Sequence, residues 1–79
     1  MRIDKFLKNS RIIKRRSVAN EACDKGRVCV NGRTVKASYE VKIGDVIEVS
    51  LGGRGIKAEV LAISEHVPAK DAASLYKLL

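Results

Sequence analysis

The amino-acid sequence predicts an α+β domain in which two N-terminal helices pack on a small antiparallel sheet, with a short C-terminal helix. Two observations predict this class. Apolar residues recur at helical spacing before Gly26, and from Val28 onward they alternate with polar residues as they do in strands. With 79 residues the chain has room for one core, so we expect a single domain over residues 1–79.

The first two helices are predicted by apolar stripes. The first, over residues 1–9, carries its stripe at i, i+3 and i+4: Ile3, Phe6 and Leu7. The second is expected over residues 15–25, and these residues should face the core: Val18, Ala19, Ala22 and Cys23. Gly26 then suits the left-handed position that commonly ends a helix.

Turn signals divide the remainder into strands. Asn31-Gly32 between two short β-branched runs predicts a hairpin, and we favour this turn role for Asn31 over contact with a binding partner. A second turn at residues 42–45 precedes a strand over 46–51. The glycine-rich loop 52–55 leads to a strand over 56–63, and Pro68 precedes a helix expected over 69–78.

Positive charge is concentrated in the first half of the chain. Residues 1–36 hold 11 basic and 3 acidic side chains, whereas residues 37–79 hold 5 basic and 6 acidic ones. Such asymmetry indicates a polyanionic partner docking on one face, and the alternative is a basic surface that serves solubility. Among the acids, Asp4, Glu21 and Asp24 are interpreted as local ion pairs or orienting partners.

The spacing of the basic residues favours the polyanion. Along the first helix and the following connection they recur every third residue: Arg2, Lys5, Lys8, Arg11 and Lys14. Steps of three stay on one broad helix face, so we expect a continuous basic ridge that reaches the second helix. Arg15 and Arg16 would lie in its first turn, against the positive end of the helix dipole. A bound phosphate would remove that conflict, and solvation of long side chains is the alternative.

The hairpin extends this basic surface. Its candidate RNA-binding residues are Arg27, Arg33, Lys36 and Ser38. Because the only aromatic residues are Phe6, Tyr39 and Tyr76, stacking on unpaired bases is disfavoured, and we expect recognition of structured RNA by shape and backbone. Charge alone is also consistent with duplex DNA.

Catalytic and metal sites find no support in the sequence. His66 is the only histidine and lies in a predicted loop, and the glycine-rich loop lacks the lysine of a phosphate-binding loop. Cys23 and Cys29 lack zinc-site spacing, and we interpret them as small core residues rather than a disulfide. No signal or membrane segment is present, so we expect a cytoplasmic, non-enzymatic protein without cofactor or metal.

Several separated motifs resemble the alpha-L RNA-binding domain, which is named after ribosomal protein S-four. They are Arg2-Ile3-Asp4-Lys5-Phe6-Leu7, Arg15-Arg16-Ser17, Gly26-Arg27-Val28, Val30-Asn31-Gly32, Lys36-Ala37-Ser38 and Val41-Lys42-Ile43-Gly44-Asp45. The match covers roughly residues 1–50 and leaves 51–79 as additional strands and a helix. The whole chain is most similar to the stand-alone RqcP (YabO) family, which is related to a small heat-shock ribosome-recycling protein.

The resemblance implies a role in ribosome-associated quality control. Such proteins bind large ribosomal subunits obstructed by peptidyl-tRNA and contact both rRNA and that tRNA. They act with an RqcH-like tailing factor that adds alanine to stalled chains. The alternative is a general RNA-binding regulator, or a heat-shock-type recycling factor without tail synthesis. The resemblance makes Arg2, Asp4 and Arg16 the principal RNA-binding residues of a ribosome-associated monomer, with Asp4 orienting an arginine or bonding to a base or ribose.

Overall fold

Two short helices form where the apolar stripes predict them. In the computed structural model, which describes residues 1–79, α1 spans Ile3–Asn9 and α2 spans Arg16–Asp24. The predicted inward residues of α1 are fully buried, and Ala19, Ala22 and Cys23 of α2 are buried as well. The inward placement of Val18 is wrong: its side chain is 43% exposed, because it lies about 100° around the helix from Ala19. Neither helix has the length and apolar character needed to cross a lipid bilayer.

A five-stranded antiparallel sheet follows the helices. Its strands are β1 (Val28–Val30), β2 (Arg33–Thr34), β3 (Val46–Leu51), β4 (Arg54–Val60) and β5 (Tyr76–Leu78), in the spatial order β2-β1-β3-β4-β5. Alternate residues of the three central strands are buried: Val28, Val30, Ile47, Val49, Ala58 and Val60. All of them except Ala58 belong to one core cluster with the apolar residues of α1 and α2, so the core lies between the helices and one face of the sheet.

Tight turns set the register of the sheet. Asn31 and Gly32 both have positive φ, at 52° and 83°, and the Asn31 side-chain oxygen accepts a hydrogen bond from the Val46 N–H, so Asn31 is a turn residue. Gly52 and Gly53 likewise form a two-residue turn. Arg54 therefore belongs to β4, which is offset from the predicted 56–63 and ends at Val60.

The C-terminal segment is only partly helical. Over Ala69–Leu75 the predicted C-terminal helix is present as a 3₁₀ helix, and its Ala72 and Leu75 are buried. The last predicted helical turn is instead β5, which pairs with β4 from Val60↔Tyr76 to Ala58↔Leu78. The edge of β4 would otherwise leave backbone N–H and C=O groups unpaired, and the strand pairing satisfies them.

Candidate nucleic-acid interface

A buried carboxylate joins the first two helices at the basic surface. Asp4 lies in the first turn of α1 and its side chain is 2% exposed. Its oxygens accept hydrogen bonds from Nε and Nη2 of Arg2 at 3.3 Å each, and from Nη2 of Arg16 at 3.4 Å. Asn20 Nδ2 donates at 3.2 Å and the Lys5 backbone N–H at 2.8 Å. One carboxylate thus holds two guanidinium groups from two different elements.

The two arginines remain open to solvent although their partner is buried. The side chains of Arg2 and Arg16 are 46% and 48% exposed. Burial alone would raise the pKa of Asp4, but the hydrogen bond from Asn20 and the charges of Arg16 and Arg2 outweigh burial, and the pKa is lowered. Asp4 is therefore ionised at neutral pH. Two positive charges against one negative charge leave the cluster with a net positive charge.

A shallow depression of about 450 Å³ opens beside this cluster, between α2 and the chain that follows β2. Three sequence-predicted residues line it: Arg2, Lys36 and Ser38. Asn20 and Asp24 of α2 form the opposite wall. The structure thus brings residues from two separate motifs and from α2 to one concave, mostly polar surface, which has the hydrogen-bond donors and positive charge that a phosphodiester backbone requires.

The start of α2 adds free backbone donors. Arg15 is the residue before the helix and has no side-chain cap, and Arg16 is the first helical residue. The N–H groups of Arg16, Ser17 and Val18 have no acceptor in the structure, as expected for a first helical turn. A phosphate near Arg16 would accept from these groups and would offset the unfavourable placement of a cation at this helix end.

The remaining basic residues do not continue this cluster as a single ridge. Lys5 forms an ion pair with Glu65, and Lys8 lies beside Glu65 and His66. Arg11 has φ of 62°, so α1 has ended and the spacing of three no longer follows a helix face. These predicted residues are exposed and make no hydrogen bond to the Asp4 cluster: Arg11, Lys14, Arg15, Arg27 and Arg33.

The sequence interpretation missed Asn20, Asn9 and Glu65. Asn20 had a detectable signal, because it follows Arg16 by four residues and so lies on the same face of α2. Asn9 donates from its Nδ2 to the backbone oxygens of Ser64 and Glu65. No local pattern links α1 to a segment more than 50 residues away, so these contacts depend on the folded chain.

The cysteines lie apart from each other and are free thiols. Cys23 is buried next to the depression, and burial, followed by the nearby charges of Asp4 and Asp24, raises its pKa to about 11. Cys29 is half-buried in β1, and its Sγ lies 3.7 Å from the hydroxyl oxygen of Thr34.

Comparison with known proteins identifies the family. The profile of the S4 domain matches residues 1–47, from α1 to the start of β3, and therefore covers the whole Asp4 cluster and the depression. The chain belongs to the S4 domain family. This match confirms the resemblance that the separated motifs indicate.

Similarity to other S4 domain proteins extends beyond residue 47. The RQC P-site tRNA stabilizing factor of Streptococcus pneumoniae is 44% identical over 79 residues, which cover 100% of this chain and 90% of the relative. The factor of the same name from Helicobacter pylori is 51% identical over 74 residues, covering 90% of this chain and 87% of the relative. The solved structure of Vibrio cholerae Heat Shock Protein 15 superimposes with a TM-score of 0.92 at 32% identity, covering 100% of this chain and 81% of that one.

Proposed function

We propose that this chain is a non-enzymatic RNA-binding factor of ribosome-associated quality control. It binds large ribosomal subunits obstructed by peptidyl-tRNA, contacts rRNA and the P-site tRNA, and supports alanine tailing with an RqcH-like factor. The proteins named RQC P-site tRNA stabilizing factor, which match 90–100% of this chain, support this role. In this proposal the protein acts as a cytoplasmic, ribosome-associated monomer.

The Asp4 cluster is the observation that carries the proposal. Long arginine side chains on a free surface lose rotamer freedom when they bind a phosphate. Here the buried carboxylate holds Arg2 and Arg16 while nearly half of each side chain faces solvent. A guanidinium group has more N–H donors than one carboxylate uses, so phosphate oxygens can accept from the remaining donors.

The aromatic residues support a structured rather than single-stranded RNA target. Phe6 is fully buried, and the Tyr39 hydroxyl donates to Asp45 at 3.0 Å. Tyr76 is half-buried in β5. With no open stack of aromatic rings beside the basic surface, affinity must come from phosphate, ribose and shape, as in recognition of RNA helices.

We predict that Arg16→Ala weakens co-sedimentation with large subunits by about tenfold while the domain remains folded, because a charged hydrogen bond to phosphate contributes roughly 1.5–3 kcal/mol. Arg2→Ala should behave similarly. Binding is measured by sedimentation through sucrose and folding by thermal denaturation. Lys70→Ala is the matched control, since Lys70 is exposed in the 3₁₀ helix, far along the chain from the cluster. Unchanged co-sedimentation of a stable Arg16→Ala protein would contradict the proposal.

A second candidate function is a recycling factor of the heat-shock type that acts without tail synthesis. The close superposition on Vibrio cholerae Heat Shock Protein 15 is the observation that supports this candidate. Deleting the gene and measuring alanine tails on a stalled reporter separates the two roles. Loss of tails supports the tailing role, whereas intact tails with accumulation of obstructed large subunits support recycling. A protein found only in ribosome-free fractions would instead be a general RNA-binding regulator.

A further inference from the structure

The segment at residues 64–68 contacts α1 through Lys5 and Asn9, on a different side of the helix from Asp4. On one flank, Asp4 contacts Arg16 and Asn20 of α2. On the other flank, the Asn9 side chain donates to the Ser64 oxygen at 3.1 Å and to the Glu65 oxygen at 3.3 Å. Helix α1 therefore contributes to two surfaces, and the second surface is built partly by residues outside the matched 1–47 region.

This second surface combines two cations of α1 with one carboxylate. Glu65 is paired with the Lys5 ammonium, and Lys8, one turn later, has no carboxylate within ion-pair distance. An open depression of about 460 Å³ lies between Lys8 and the 64–68 segment, with His66 and Pro68 on its wall. Lys8 lines this depression, and Lys5 adjoins it through its ion pair with Glu65 on the wall, so the region holds two lysines and one carboxylate.

Asp4 and Glu65, the carboxylates that pair with cations of the two surfaces, differ in their access to solvent. Asp4 is buried and a bound RNA cannot take its place, whereas Glu65 is 59% exposed and its partner Lys5 is 35% exposed. Exposed ion pairs contribute little to stability, so exchanging one anion for another on Lys5 costs little. The Lys5 hydrogen bond and charge lower the pKa of Glu65, so the carboxylate is ionised at neutral pH and competes with other anions.

We propose that the groove between α1 and residues 64–68 is a second RNA-backbone site, in which Glu65 is a counter-anion that a phosphate displaces from Lys5. The inference rests on the proposed RNA-binding function and assigns the class of ligand as a phosphodiester strand. Lys5 and Lys8 bind adjacent phosphates, and Asn9 positions the segment. Because a phosphate must displace Glu65 before it binds Lys5, the carboxylate lowers the affinity of this site and disfavours RNA that binds weakly and without specificity.

The test measures binding of a fluorescein-labelled RNA hairpin by anisotropy at several salt concentrations. Glu65→Gln is expected to tighten binding on the order of threefold and to make the log–log salt slope steeper by about one phosphate. Lys8→Ala should weaken binding in both the wild-type and the Glu65→Gln background. Glu48→Gln is the matched control, because it removes the same charge from an exposed position on β3.

The Lys5→Ala variant tests whether the tightening caused by Glu65→Gln requires the ion pair between Lys5 and Glu65. In the Lys5→Ala background, Glu65→Gln should give no tightening. The inference is overturned if Glu65→Gln has no effect, if Glu48→Gln tightens binding equally, or if the gain persists without Lys5. If Arg16→Ala weakens binding while Glu65→Gln does nothing, only this inference fails. If wild-type protein binds neither the hairpin nor large subunits, the proposed function fails with it.

Discussion

Asp4 links the interior of the domain to its basic surface, because this buried carboxylate holds two arginines of that surface. It accepts five hydrogen bonds from four residues, and two of those residues are the arginines assigned to RNA. An asparagine at this position would keep the shape but lose the charge that holds both guanidinium groups. The same carboxylate therefore contributes to folding and to the orientation of the proposed binding residues.

The lowered pKa of Asp4 makes a prediction about acid stability. Because the folded-state pKa lies below the usual value of 3.8, the ionised group stabilises the fold above that value, and the contribution is lost as pH falls through the folded-state pKa. We predict that Asp4→Asn lowers the free energy of unfolding by about 1–3 kcal/mol at neutral pH and less in acid. Urea denaturation over a pH series measures both effects.

A control at an exposed acid separates this effect from general charge. Asp71 is exposed in the 3₁₀ helix and pairs with no basic side chain, so Asp71→Asn should keep the pH dependence of the wild type. If Asp4→Asn and wild type lose stability in parallel as pH falls, Asp4 does not carry the assigned ion pairs.

At the scale of elements, a polar network joins the turn before β3 to the hairpin turn between β1 and β2. Asp45 is buried, and its Oδ2 accepts from the Lys42 backbone N–H at 2.9 Å and from the Tyr39 hydroxyl at 3.0 Å. Its Oδ1 accepts from Asn31 Nδ2 at 3.2 Å. The network fixes the direction in which the chain enters β3, and thereby the register of the central strands.

We predict that Asp45→Ala destabilises the domain by about 1–3 kcal/mol, because it leaves partly buried donors without an acceptor. Burial first, and then the hydrogen bond to Asp45, raise the pKa of Tyr39, so the substitution should also lower that pKa, as measured by tyrosinate absorbance. Ile43→Ala in the same turn is the control: its side chain is 68% exposed, and the change should stay within about 0.5 kcal/mol. Equal stability of the two variants would exclude a structural role for the network.

At the scale of the whole molecule, the uneven charge predicts how binding depends on salt. The first 36 residues contain 11 of the 16 basic side chains, among them the arginines and lysines assigned to both proposed RNA surfaces. We expect affinity for large subunits to fall linearly on a log–log plot against salt, with a slope of roughly 0.7–0.9 per phosphate contact. Arg16→Ala should make the slope shallower by about one contact, whereas Lys70→Ala should keep it. Association that does not respond to salt would indicate a protein partner instead.

Local interactions allowed the sequence to predict most elements of the fold. Helix α1 has its stripe at i, i+3 and i+4, and the Asn31-Gly32 turn needs only its own backbone preferences, so both form as expected. The motifs that indicate the S4 family are likewise short segments, and they lie mainly within the matched residues 1–47. Residue types and spacing likewise sufficed to indicate Arg2 and Arg16 as candidates, whereas Asp4 became a candidate through the resemblance to the family.

Contacts between distant residues were decided only in three dimensions. Nothing near Tyr76 in sequence shows that the edge of β4 needs a partner strand, and nothing near Lys5 shows that Glu65 neutralises it. The every-third-residue pattern predicted one ridge, but the contacts of α1 with α2 and with residues 64–68 place Arg2 on one surface and Lys5 and Lys8 on another. Sequence periodicity reports which face a side chain occupies within its own element, whereas the partner that meets that face depends on how the elements pack.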